Sequence, residues 1–267
     1  MSNKLTQKDG LIYEVRKNDV AVIACNGNDG DVKIPVMIDS RPVTEIGPNA
    51  FSGRRILSVR GDSIRIIQER AFEFCSKLSG LKFPVVEEIH RKAFRCCTNI
   101  GDIAFDGNAR YLGENAFENC SNLDSVTLGD GLLCIRANAF RNCTSLQRVT
   151  IGDNITDIYP EAFKDCELLL WVRFGEKVAN IHRGAFAGCS RLWRLRFPDS
   201  LRNIAAGAFE DCSNLRIVRR PDKLKHIDGD AFKGCNKFRV LTTRRNSDLS
   251  IDKIEHELNS MCNFNDD

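Results

Sequence analysis

The sequence predicts an α/β solenoid: a stack of short coils sharing one parallel sheet, with short helical turns, a β-rich N-terminal cap and a C-terminal helix. Three observations predict it. Nine Ala-Phe dipeptides recur in register, at Ala50-Phe51, Ala71-Phe72, Ala93-Phe94, Ala116-Phe117, Ala139-Phe140, Ala162-Phe163, Ala185-Phe186, Ala208-Phe209 and Ala231-Phe232, in steps of 21, 22 and then 23 six times. A fixed period in the twenties marks coils that each touch only their neighbours and bury one continuous core. Eight cysteines keep the same step, each three residues after the Phe: Cys75, Cys97, Cys120, Cys143, Cys166, Cys189, Cys212 and Cys235. Each coil also repeats an L-x-x-V-x-L run closed by a Gly or Pro turn, as in Leu123, Val126, Leu128 and Gly129-Asp130.

Within that run the alternating end reads as a strand, with Val126 and Leu128 facing inward. Leu132 and Ile135 return to the interior, as do Ile155 and Ile158, Val178 and Ile181, Leu201 and Ile204, and Leu224 and Ile227. The segment around Ala139-Phe140 reads as one helical turn. Pro48 and Pro160 stand just before their Ala-Phe pairs, where a helix tolerates proline. Ala allows close approach to the sheet, Phe fills the coil, and the Cys and the following Leu close it. The Cys column is expected to be buried and reduced, since a free thiol packs as a small hydrophobe.

The A-F-x-x-C unit with its L-x-x-V-x-L strand resembles the BspA-like leucine-rich repeat family over roughly residues 42–243. Gly10-Leu11-Ile12-Tyr13 and Ile34-Pro35, with Pro42 to Gly47, resemble the β-rich lead-in of such proteins. The resemblance implies a right-handed leucine-rich-repeat stack and a role in protein–protein binding or cell-surface adhesion.

The ends should be capped. Leu11–Cys25 and Asp31–Ile38 read as strands around an Asn26-Gly27-Asn28-Asp29-Gly30 hairpin turn. Ile251, Ile254, Leu258 and Met261 have helical spacing behind a Ser250 N-cap, for a helix that caps the last coil or docks on a second chain. The expected organisation is a cap over 1–41, about nine coils over 42–243, and a helix with a polar tail over 244–267.

A net charge of +3 over 267 residues argues against a general nucleic-acid binder. The start, MSNKLTQKDG, has no apolar h-region and no run reaches the ~18 apolar residues of a membrane span, so a cytoplasmic protein is expected. His90, His182, His226 and His256 are scattered, and no phosphate loop, H-E-x-x-H or G-x-S-x-G occurs. Neither catalysis nor a cofactor is expected.

One surface departs from filler. Side chains just before and after the strand Val face outward. The first outward column runs Gly80, Asp102, Ser125, Arg148, Trp171, Arg194, Ile217, Val240, and the second Lys82, Ala104, Thr127, Thr150, Arg173, Arg196, Arg219, Thr242. Trp193 and Arg216 lie one position earlier, at the rim. Exposed Trp with Arg is the composition of binding hot spots. The expected partner-binding set is therefore Arg148, Trp171, Arg173, Trp193, Arg194, Arg196, Arg216 and Arg219, facing a protein with an acidic surface. The same face reads alternatively as an adhesin surface, a polyanion site, or arginines lying over tryptophans on a solvated sheet. Arg220 occupies the inward column of Phe83, Phe105, Leu128, Ile151, Phe174 and Phe197, so either the core tapers there or Arg220 turns out and enlarges the basic patch.

Overall fold

A computed structural model describes residues 4–27, 30–105, 107–236 and 239–242. The chain winds as a solenoid of about nine coils with two ladders of parallel strands. The first ladder is the one the sequence announces. Its strands are three or four residues long: Asp31–Lys33, Ser58–Arg60, Gly80–Lys82, Asp102–Ala104, Ser125–Thr127, Arg148–Thr150, Trp171–Arg173, Arg194–Arg196, Ile217–Arg220 and Arg239–Thr242. The central residue of each coil strand from Val59 to Val218 points inward, and all but Leu81 are buried. The second ladder is made of two-residue strands at the returning Ile, from Ile66–Ile67 to His226–Ile227, and was not legible as strand in the sequence. A two-residue strand has too little alternation to show a period of two.

The expected helical turns are not formed: among the described residues there is no helix. In the coil around Ala162-Phe163, every second amide leaves the coil. Glu161, Phe163 and Asp165 donate to the carbonyls of Arg183, Ala185 and Ala187 in the next coil at 2.8–3.0 Å. The amides between them, of Ala162, Lys164 and Cys166, close turns onto the residue three back. An α-helix would direct all of these amides to the residue four back. The backbone also enters the left-handed region twice per coil, before Ala and before Cys, as at Glu161 (φ 57°) and Asp165 (φ 59°). A helix cannot pass through such residues. Asn115, Asn119, Asn138, Asn142, Gly184 and Gly188 at the same positions are residue types that tolerate this conformation.

The core is a set of one-residue columns. The nine phenylalanines from Phe51 to Phe232 stack with ring centroids 4.9–5.6 Å apart and planes within 12°. Each column cysteine is buried, and its Sγ donates to the carbonyl of the Phe one coil back at 2.9–3.3 Å. That carbonyl already accepts the N–H three residues on in its own coil, of Arg54 at Phe51 and of the column Cys elsewhere, so the thiol fills its second lone pair.

The N-terminal cap forms differently from the expectation. Leu11–Cys25 is two strands, Leu11–Val15 and Val20–Cys25, paired antiparallel, with Lys4–Lys8 added outside. Val20–Cys25 then pairs in parallel with Arg41–Ile46, which leads into the second ladder, while Asp31–Lys33 pairs with Ser58–Arg60 in the first. Val20–Cys25 and Asp31–Lys33 therefore lie in different ladders and do not pair with each other as a hairpin. Buried Glu45 ties cap to stack through Arg16, at 2.6 Å. The expected helix at residues 250–262 lies outside the described residues.

Candidate interaction surface

The exposed side chains of the first ladder stand where strand alternation puts them. Trp171 and Arg173 flank buried Val172, and Arg194 and Arg196 flank buried Leu195. Arg196 and Arg219 are register partners on neighbouring strands. The last coil is one residue shorter than expected, so Arg239 and Leu241, rather than Val240 and Thr242, stand beside Ile217 and Arg219. The strand of the eighth coil continues through Arg220, which pairs with Thr242.

The ladder is not continuous. Among the described residues it breaks twice, between Gly80–Lys82 and Asp102–Ala104 and between Trp171–Arg173 and Arg194–Arg196. Both breaks fall where the inward column places one Phe next to another, Phe83 beside Phe105 and Phe174 beside Phe197. Steps involving Leu128 or Ile151 stay paired. Phe174 and Phe197 are tilted by 54° with centroids 5.4 Å apart, each turned toward the central Phe stack. Strands in a ladder lie about 4.8 Å apart. Two tilted rings need more room than that, and the strands above them part.

The second break opens a groove of ≈ 990 Å³ bordered by Trp171, Arg173, Phe174, Arg194, Arg196, Phe197 and Arg219. Five of the eight expected site residues are brought together there. Arg148, Trp193 and Arg216 do not border it: exposed Arg148 is engaged with Asp124 at 3.1 Å, and the Trp193 side chain is only half-exposed. Trp171 is 46% exposed, enough to present a ring face to a partner. The sequence reading missed the acidic rim. Glu176, Asp199 and Asp222, each three residues after an arginine of the floor, also border the groove. Arg173 is held by Asp153 at 3.4 Å, whereas Arg196 and Arg219 have no carboxylate within 4.0 Å among the described residues. Guanidinium groups do lie over aromatic rings in this molecule, Arg95 over Phe74 and Arg136 over Tyr111, but neither pair is on this face.

The BspA type leucine rich repeat region model matches residues 44–169 and 167–265, with six copies. The chain belongs to the BspA-type leucine-rich repeat family. Among solved structures, the leucine-rich repeat protein of T. pallidum is 27% identical with a TM-score of 0.65, over 71% of this chain and 91% of that one. A leucine-rich repeat protein from Bacteroides ovatus is 22% identical with a TM-score of 0.63, over 89% and 70%. One from Eubacterium ventriosum, 20% identical with a TM-score of 0.54 over 79% and 50%, shares the fold. No curated protein matches. Leucine-rich repeat proteins generally mediate protein interactions or adhesion, and the family is typically non-enzymatic.

Each described histidine of this BspA-type scaffold faces a carboxylate. His90 lies 3.0 Å from Glu88, His182 3.1 Å from Asp157 and His226 2.8 Å from Asp228. Burial pushes up the thiols in the middle of the column, that of Cys143 to about 12, which holds them protonated at neutral pH. Hydrogen bonding to the neighbouring Cys97 and Cys212 instead lowers those of the end members Cys75 and Cys235. Among the described residues no cluster of His, Cys, Asp or Glu could hold a metal ion, and no helix is long and apolar enough to cross a membrane.

Proposed function

We propose that this chain is a non-catalytic protein-interaction module whose binding surface is the first-ladder face around Trp171, Arg173, Arg194, Arg196 and Arg219. The observation that carries this reading is the groove at the second ladder break, which gathers an exposed tryptophan and four arginines. Tryptophan and arginine dominate binding energies because each offers large area or several donors at small entropic cost. Arg148, Trp193 and Arg216 form the outer part of the same face.

The test is capture of a partner by the wild-type chain and by a Trp171→Ala variant, followed by hydrogen-exchange mapping on the complex. Protection confined to residues 171–199 and 216–222, with capture lost in the variant, is expected. A partner that protects the second ladder instead and tolerates Trp171→Ala would overturn the reading.

A further inference from the structure

We infer that the groove recognises an extended, mixed-charge peptide that places a carboxylate between Arg196 and Arg219 and a basic or amide side chain against Glu176 and Asp199. This deepens the interaction reading and rests on it. Two stripes run along the solenoid axis. The floor stripe, Arg173, Arg196 and Arg219, is cationic, and the rim stripe, Glu176, Asp199 and Asp222, is anionic, with one member of each per coil. Arg196 and Arg219 stand in register on adjacent strands, so their side chains leave the sheet about one strand spacing apart, near 4.8 Å. Like charges on neighbouring strands repel, and among the described residues neither arginine forms an ion pair that would offset it. One carboxylate received between them would accept charge-assisted hydrogen bonds from both.

The break adds a second element of recognition. In the paired stretches of this ladder the amides leading into each strand are taken up by the preceding coil, as Leu170 N–H is by Gln147 at 2.9 Å and Arg216 N–H by Trp193 at 2.8 Å. Between Trp171–Arg173 and Arg194–Arg196 no ladder pairing exists, so backbone donors and acceptors border the groove between the two strands. An extended main chain carries matching donors and acceptors. The rim decides between classes of partner. A uniform polyanion such as single-stranded RNA would lie against the carboxylates of the rim, while a peptide alternating acid with base or amide satisfies both stripes.

The experiment is selection of a random twelve-residue peptide library on the immobilised full chain, with wild type, Arg196→Gln/Arg219→Gln and, at an exposed lysine outside the groove, Lys77→Gln compared. The recovered peptides are then measured by the change in tryptophan fluorescence. Recovery of sequences alternating Asp or Glu with Lys, Arg, Asn or Gln, binding about tenfold or more weaker to the double variant and unchanged to Lys77→Gln, is expected. Each variant must melt as wild type does, which these exposed positions permit. Peptides with unbroken acidic runs, displaced equally by tripolyphosphate or polyuridylate, would show a polyanion site and overturn the inference. Recovered peptides lacking acidic residues, or binding the double variant as well as wild type, would also overturn it. If Trp171→Ala then still abolishes capture of the cellular partner, only the carboxylate assignment has failed and the interaction reading stands.

Discussion

At Phe74 the backbone sits at φ 64°, in the left-handed region, with the ring 52% exposed. The same position holds Asn119, Asn142 and Gly188 in other coils, which enter that region more readily. A side chain with a Cβ in that region costs about 1–2 kcal/mol, and the Arg95 guanidinium 5.6 Å above the ring returns about 0.5–1 kcal/mol. The strain wins. Phe74→Asn is expected to raise stability by roughly 0.5–1 kcal/mol, read from the urea midpoint. A loss would mean that the Arg95 contact outweighs the backbone. Asp157 provides the residue-scale pH dependence. Burial pushes its carboxyl up, but hydrogen bonds from Thr156, His182 and Asn180 prevail and hold it below the usual carboxylate range. A depressed carboxylate contributes stability that is present above its unfolded value, near 3.9, and is lost as pH falls through the lower folded value. Asp157→Asn should therefore flatten the acid limb of the stability–pH curve below about pH 4, which thermal melts at stepped pH would detect. An unchanged limb would place the dependence at other carboxylates.

Between single residues and the whole stack, the element that matters most is the column. Leucine, phenylalanine and cysteine columns were legible because burial at a fixed step leaves one residue type per step. The strand of the first ladder was legible for the same reason, since Val126 and Leu128 alternate with polar residues. The turn at Ala-Phe was misread because Ala and Phe carry no mark of whether an amide bonds within its coil or to the next. The mark lay one residue away, in the Asn and Gly that precede Ala and Cys. The groove was half legible. Its arginines could be aligned from the period, but the opening comes from Phe174 meeting Phe197, a neighbour relation visible only once columns are read for size as well as polarity. Replacing Phe174 by Ile, the residue standing at Ile151 in the adjoining coil, should let the strands at 171–173 and 194–196 pair. Slower hydrogen exchange at the amides of 193–196, with the thermal transition retained, is the expected sign. Faster exchange there would show that the ring holds the strands in place instead of parting them. The cysteine column gives a companion prediction. Its thiols are buried, and those in the middle of the column are held protonated, while Cys96 and Cys134 are partly accessible. Brief alkylation of the native protein should label Cys96 and Cys134 among the described cysteines, and the eight column thiols only after unfolding. Early labelling in the middle of the column would indicate that coils open locally.

Stacked coils make stability a sum of nearest-neighbour interfaces, so the cost of a core deletion depends on where along the axis it falls. Phe140 is fully buried and stacked on both Phe117 and Phe163, at 5.6 and 5.2 Å. Phe51, at the opposite end from Phe232, is also fully buried, because the meander of Lys4–Cys25 continues the ladder over it. Phe232 stacks on Phe209 at 5.2 Å and is only partly buried. Phe140→Ala removes a ring from two interfaces and leaves a cavity, a loss of about 3–5 kcal/mol. Phe232→Ala removes one interface from a ring that is already partly solvated, and the loss should be about half as large or less. The two variants should also differ in kind. With the central interface weakened, the coils on either side are coupled less tightly, and the unfolding transition should broaden or divide. With the terminal interface weakened, exchange should quicken in residues 226–236 while the central coils keep wild-type protection. Equal losses with uniform loss of protection would show instead that the solenoid unfolds as one cooperative body, with long-range coupling overriding the additive behaviour of its coils.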